Sequence, residues 1–136
     1  MTVLRIPVTF ELFSAPYALP ATFSMAGMSF NQFDGEGWDI APFGFPAENA
    51  LGFSETGLAI DLPGPAQRVA IRIGVGARSI AAEARSSNGS VIASARTKGA
   101  GGLQDVLMEG GDIRTIRLTG GEGQGRLSAL MAEFMI

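Results

Sequence analysis

Asn88-Gly89 stands between two alternating runs, Ser79 to Arg85 and Ser90 to Arg96, and this arrangement constrains the chain more than any other feature. Both residues tolerate positive φ, so the pair suits the two-residue type I′ turn, whose twist matches that of paired strands. The spacing predicts a β-hairpin with positive φ at both turn positions. Around it, period-two alternation recurs. Leu4, Ile6, Val8, Phe10 and Leu12 fall on one side of a first strand, with Arg5, Thr9 and Glu11 on the other. Leu58, Ile60 and Leu62 alternate, Pro63-Gly64-Pro65 reads as a turn, and Val69, Ile71, Ile73 and Val75 give the cleanest strand, with Arg68 and Arg72 facing outward. After the hairpin come a Gly99 to Gly102 loop, a strand near Leu103 to Met108, a Gly110-Gly111 turn, Ile113 to Leu118, a Gly-rich turn and a closing strand from Arg126 to Met135. Leu127, Ala129 and Met131 oppose Ser128, Leu130 and Ala132 there, the two-sided apolar pattern of a central strand.

Strands at this spacing, with turn residues between them and no helical period, predict an all-β antiparallel jelly-roll sandwich of about eight to ten strands in one domain spanning 1–136. The stretch 14–57 differs from the regular part, 58–136. It holds most of the aromatics and prolines, and reads as loops around one or two short strands near Thr22 to Phe30.

Composition narrows function. With no Cys and no His there is no thiolate nucleophile, no Cys-based zinc site, and neither the commonest metal ligand nor the commonest general base. The net charge is −3, and nine of the ten basic residues are arginines scattered from Arg5 to Arg126, which argues against nucleic acid as a partner. Apolar residues make up 46% and charged ones only 17%, so part of the surface is expected to meet a partner. Pro, Gly or charge interrupts every apolar stretch before it reaches membrane-spanning length. The first residues lack the basic head and continuous apolar run of a signal peptide, which predicts cytoplasmic synthesis with incorporation into a particle as an option.

The runs AQRVAIRIGVG, IAAEARSSNGSVIASARTKGAGG and DIRTIRLTGGEGQGRLSALMAEF, covering about Leu58 to Phe134, resemble the strand order of galactose-binding-like jelly rolls, the fold of many carbohydrate-binding modules. The resemblance implies a β-sandwich and glycan binding. In that family the closing strand often carries an acidic pair beside calcium. Here Ser128-Ala129 stands in that region, with Glu133 the only carboxylate, so the chain departs from the pattern.

Several local motifs have plain readings. Asp34-Gly35-Glu36-Gly37-Trp38-Asp39 puts three carboxylates, Asp34, Glu36 and Asp39, on one flexible loop, a weak calcium candidate beside the simpler reading of a solvated turn. Gly120-Gly121-Glu122-Gly123-Gln124-Gly125 leads into a strand, not a helix, and so is a turn, not a dinucleotide loop. Ser54 lacks a nucleophile-elbow context and a base, so no serine hydrolase is expected. Arg5, Arg72, Arg114 and Arg117 recur on strands, where such residues cover an outer sheet face and pair with acids.

The expectation is a non-catalytic interaction module without a cofactor. Its first reading is a structural or decorating subunit of a virion, tail or other particle, self-associating or bound to protein partners. The alternative is a carbohydrate-binding module. Either would use the rings concentrated from Phe33 to Phe53. The candidate binding residues are Trp38, Phe43, Phe45, Tyr17 and Asp39, because loops on a rigid scaffold deliver ring area to partners.

Overall fold

Period-two alternation becomes eleven antiparallel strands: β1 (Val3–Thr9), β2 (Tyr17–Leu19), β3 (Thr22–Met25), β4 (Met28–Gln32), β5 (Trp38–Phe43), β6 (Glu48–Phe53), β7 (Leu58–Val75), β8 (Ile80–Arg85), β9 (Val91–Arg96), β10 (Gly102–Gly120) and β11 (Gly125–Met135). The structure is a computed structural model and describes residues 2–135. Among these residues the one helical element is the short 3₁₀ turn Gly121–Gly123 inside the Gly-rich loop.

Two strands are long enough to serve both layers of the sandwich. The second half of β7 lies between β11 and the first half of β10, and β1 pairs with the far side of β11. The first half of β7 lies instead between β4 and the second half of β10, which continues to β8 and β9. Hence one layer runs β1-β11-β7-β10, extended through β6, β5 and β2, and the other β3-β4-β7-β10-β8-β9. The change of layer leaves a mark in burial. Leu58, Ile60, Leu62 and Ala66 are buried at even positions, then Val69, Ile71 and Ile73 at odd ones, with Gln67 and Arg68 both exposed at the slip. The partner strand is irregular at the same place, between Glu109 and Ile113. An extra residue in one strand bends it and re-aims the side chains that follow.

This geometry corrects the two turns expected at Pro63-Gly64-Pro65 and Gly110-Gly111. Neither reverses the chain; each lies within a continuous strand, and the breakers serve the bend between layers. Gln67 Nε2 donates to the Gly111 carbonyl across that corner.

The hairpin at Asn88-Gly89 forms, between β8 and β9, but with a different turn. Gly89 has φ +86° while Asn88 is not at positive φ. The Gly89 N–H donates to the Ser86 carbonyl and the Ser86 N–H to the Ser90 carbonyl, which closes a three-residue loop of the kind that ends in a glycine bulge. Asn88 instead uses its side-chain oxygen to accept the Ser90 N–H at 3.0 Å. The two-residue primed turn occurs elsewhere: Ala26 (φ 53°) and Gly27 (φ 77°) join β3 to β4, with Met25 opposite Met28.

The stretch 14–57 contains five strands rather than one or two, bringing the total above the expected eight to ten. In β1 the alternation holds only in part. Val8 and Phe10 are buried and Ile6 is half-buried, but Leu4 and Leu12 are exposed because the strand ends at Thr9 and its first residues overhang the core. The core itself joins the two layers through Phe30, Leu58, Ile60, Ile116 and Leu118 on one side and Val69, Ile71, Ile73, Leu127 and Leu130 on the other.

Candidate functional site

β6 is buried on both faces over Ala50 to Phe53, and the reason is Trp38. A Cβ on Gly52 would stand 2.8 Å from Cε3 of that indole and 3.3 Å from Nη1 of Arg126, so the glycine lets a large ring lie directly on the backbone. Arg126 is the neighbour of Gly52 on β11, and Gly74 follows on β7. There the arrangement repeats: a Cβ on Gly74 would meet the Phe43 ring at 2.7 Å and the Arg126 Cβ at 3.0 Å. Across the row Gly52, Arg126, Gly74, two aromatic rings thus sit on two glycines with an arginine between them.

The loop before β5 fixes the indole. Asp34 Oδ1 accepts the Glu36 N–H and Oδ2 accepts the Trp38 Nε1–H, each at 3.0 Å. These two donors, the backbone amide first, hold the Asp34 carboxyl below its ordinary value of 3.8. Trp38 is left half-buried, with its outer surface lining a cleft of about 440 Å³ together with Glu36, Gly37, Asp39, Ala41, Gly52 and Arg126.

Arg126 is the unusual member. Its Nη1 donates to the Gly123 and Gly125 carbonyls, at 3.1 and 2.8 Å. No carboxylate pairs with it among the described residues, and burial alone pushes its guanidinium below the usual arginine range. A partly desolvated cation with unused donors, between two rings, is chemically suited to oxygen-rich ligands. The sequence reading missed it by treating β11 as apolar on both faces. The signal was there as one arginine beside a glycine at the start of a mostly apolar strand, with Gly52 inside β6 and Gly74 inside β7.

The expected site residues are not gathered into one patch. Trp38 and Asp39 line the cleft, Phe43 adjoins Arg126 from the far side, and Phe45 is fully exposed at the tip of the β5–β6 loop. Tyr17 belongs to a different group, its ring 5.1 Å from Phe13, which packs 6.3 Å from Phe10. Of the other rings between Phe33 and Phe53, Phe53 is wholly in the core and Phe33 lies on the opposite layer beneath the Arg117 guanidinium, 4.7 Å away. Among the described residues no group of three acids that could hold a metal is assembled, so Asp34, Glu36 and Asp39 do not form the calcium site weighed above. Asp34 is committed to the loop and the indole. Ser128, in the position of the family's acidic pair, is buried and bonds Glu48 Oε1 at 2.7 Å.

No family model and no curated sequence matches the chain. Solved structures match it along nearly its full length. The K1 cleaved adhesin domain of Lys-gingipain from Porphyromonas gingivalis W83 is similar with a TM-score of 0.58 at 11% identity, covering 97% of this chain and 98% of that one. CsCBM6-3 from Clostridium stercorarium, solved with cellobiose, has a TM-score of 0.45 at 15% identity over 93% and 91% of the two chains. The low-affinity xylan binding module CBM86 of Roseburia intestinalis has 0.47 at 11% over 95% and 94%. At 11% identity the likeness to the adhesin domain is one of fold alone, and that fold is an all-β antiparallel sandwich.

Proposed function

We propose that this chain is a non-catalytic glycan-binding module whose site is the cleft across β5, β6 and β11. The observation that carries this reading is the Trp38 ring seated on Gly52 beside Arg126, a cation that forms no ion pair among the described residues. An aromatic surface offers an apolar platform to the C–H side of a sugar ring, and its polar neighbours take the hydroxyls around the rim. Asp39 and Glu36 supply acceptors, and Arg126 supplies donors in a planar fork. Because Asp34 already fixes the indole, little side-chain freedom is lost on binding, which favours affinity. The cleft volume lies in the range of small-molecule sites, enough for one or two sugar units.

This order reverses the one that composition alone supports, in which a particle subunit came first. A permanent subunit interface is more apolar than the surface around it, whereas the Trp38 cleft combines one ring with charges of both signs. A glycan array probed with the wild-type chain and with Trp38→Ala tests the reading. The wild type should bind a restricted set of oligosaccharides, and Trp38→Ala should lose that signal while keeping the wild-type β circular dichroism. A wild type silent on the array, or a substituted chain that binds equally well, would overturn it.

A further inference from the structure

The outer face of the layer β1-β11-β7-β10 carries three rows of side chains whose order is set by strand register. The first row is Arg5, Glu133, Arg68 and Glu109; the second is Pro7, Met131, Ala70 and Leu107; the third is Thr9, Ala129, Arg72 and Asp105. In the first row charge alternates strictly and neighbours pair: Arg5 with Glu133 at 2.7 Å, Glu133 with Arg68 at 3.7 Å, Arg68 with Glu109 at 3.0 Å. The second row is apolar throughout, and Leu107 in it is 52% exposed. An apolar depression of about 280 Å³, lined by Pro7, Ala70, Ala129 and Met131 among others, adjoins that row. No strand of the chain covers this face among the described residues.

We propose that this face binds a second copy of the chain, about a twofold axis parallel to the strands and midway between β11 and β7. That operation places β1 opposite β10 and β11 opposite β7 of the other copy. The first row then meets itself reversed: Arg5 faces Glu109 and Glu133 faces Arg68, so all four cross-copy pairs join opposite charges. In the second row Leu107 faces Pro7 and Met131 faces Ala70, large against small, with the depression to receive the leucine. The third row brings no like charges together. A twofold axis perpendicular to the strands fails the same test, since it sets Arg68 on Arg72 and Glu109 on Asp105. An interface that repeats one patch on both copies must be self-complementary, and of these two axes only the one parallel to the strands satisfies that condition.

The area sets the strength. Four strands about 4.8 Å apart and seven residues at about 3.4 Å each give roughly 450 Å² per copy, about 900 Å² in total and below the range of stable specific interfaces, so the dimer is a weak, transient one. Self-association is independent of the glycan reading, since the Trp38 cleft lies on β5, β6 and the far end of β11.

Sedimentation velocity from about 10 μM to 1 mM tests the proposal. The wild type should pass from monomer to dimer across that range, and Leu107→Arg should remain monomeric at the top of it with an unchanged circular dichroism spectrum. Glu109→Arg, which opposes Arg5 across the axis, should weaken the dimer at least 10-fold, and adding Arg5→Glu should restore most of the loss. A wild type that is monomeric at 1 mM, a dimer indifferent to Leu107→Arg, or a Glu109→Arg defect that Arg5→Glu does not rescue would overturn it.

Discussion

The outer face of β1-β11-β7-β10 and the cleft at Trp38 lie on the same layer, yet they treat charge in opposite ways. On the first, each arginine has an acid within reach: Arg5 and Arg68 share Glu133, and Arg72 lies 3.0 Å from Glu48 and 3.8 Å from Asp105. At the second, Arg126 is more deeply buried and forms no ion pair among the described residues. A surface ladder compensates its charges within the chain, and each exposed pair contributes little to stability. A partly buried cation between two rings leaves donors and ring area uncompensated, and a ligand can supply what is missing. A small-ligand site on such a sheet is therefore to be sought where a buried cation lacks an ion pair, whereas a fully paired ladder suits only a surface that repeats its charge pattern in reverse.

The sharpest way to break this contrast is to show that the two regions are not separable. Ile71→Ala, in the core beneath the ladder face, should cost about 2–5 kcal/mol through lost burial and a cavity, measured by urea denaturation, and leave the glycan affinity of the folded fraction unchanged. Gly52→Ala should do the reverse. Its new Cβ would force the indole off the backbone, and affinity measured by calorimetry should fall about 10-fold, or about 1.4 kcal/mol, with a smaller change in unfolding midpoint.

Acid offers a gentler probe. The Asp34 carboxyl is held below 3.8 in the folded chain, so its contribution is fully present at neutral pH and is lost as pH falls from about that value through the lower, folded one. Trp38 emission should shift to longer wavelength over this window, and Asp34→Asn should abolish the titration. The smallest effect belongs to the ladder. Arg5→Ala, removing a guanidinium with an exposed side chain, should change stability by less than about 1 kcal/mol and leave glycan affinity untouched. A large loss of glycan binding from Arg5→Ala would erase the distinction between the two regions.

Much of the scaffold was legible in the sequence because buried strands enforce period two. Val69, Ile71 and Ile73 point inward and Arg68 and Arg72 outward, as the alternation predicts. Breakers were less transparent. Pro63-Gly64-Pro65 and Gly110-Gly111 have turn chemistry but sit opposite one another at a bend, and only pairing between strands separates a bend from a reversal. The same limit hid β5 and β6, whose alternation is masked by Pro42 and by glycine at position 52. Asn88-Gly89 marked the hairpin but not its loop length, because the Asn88 side chain caps Ser90 while the chain closes between Ser86 and Ser90. For the site, Trp38 and Asp39 stood out as an aromatic and an acid in a flexible loop. Arg126 did not, since whether an arginine finds an ion-pair partner depends on neighbours far along the chain.

Trp38 is the sole tryptophan, so the chain carries its own reporter at the proposed site. The most direct measurement is a titration of its fluorescence with hexasaccharides of β-linked glucan, xylan and mannan and with an oligouronate. A glycan seated on the indole should give a saturable change in emission, with Arg126→Gln shifting the midpoint to at least 10-fold higher concentration. Emission unchanged up to millimolar concentrations of every sugar in the panel, with Trp38 still held as the structure places it, would contradict the account.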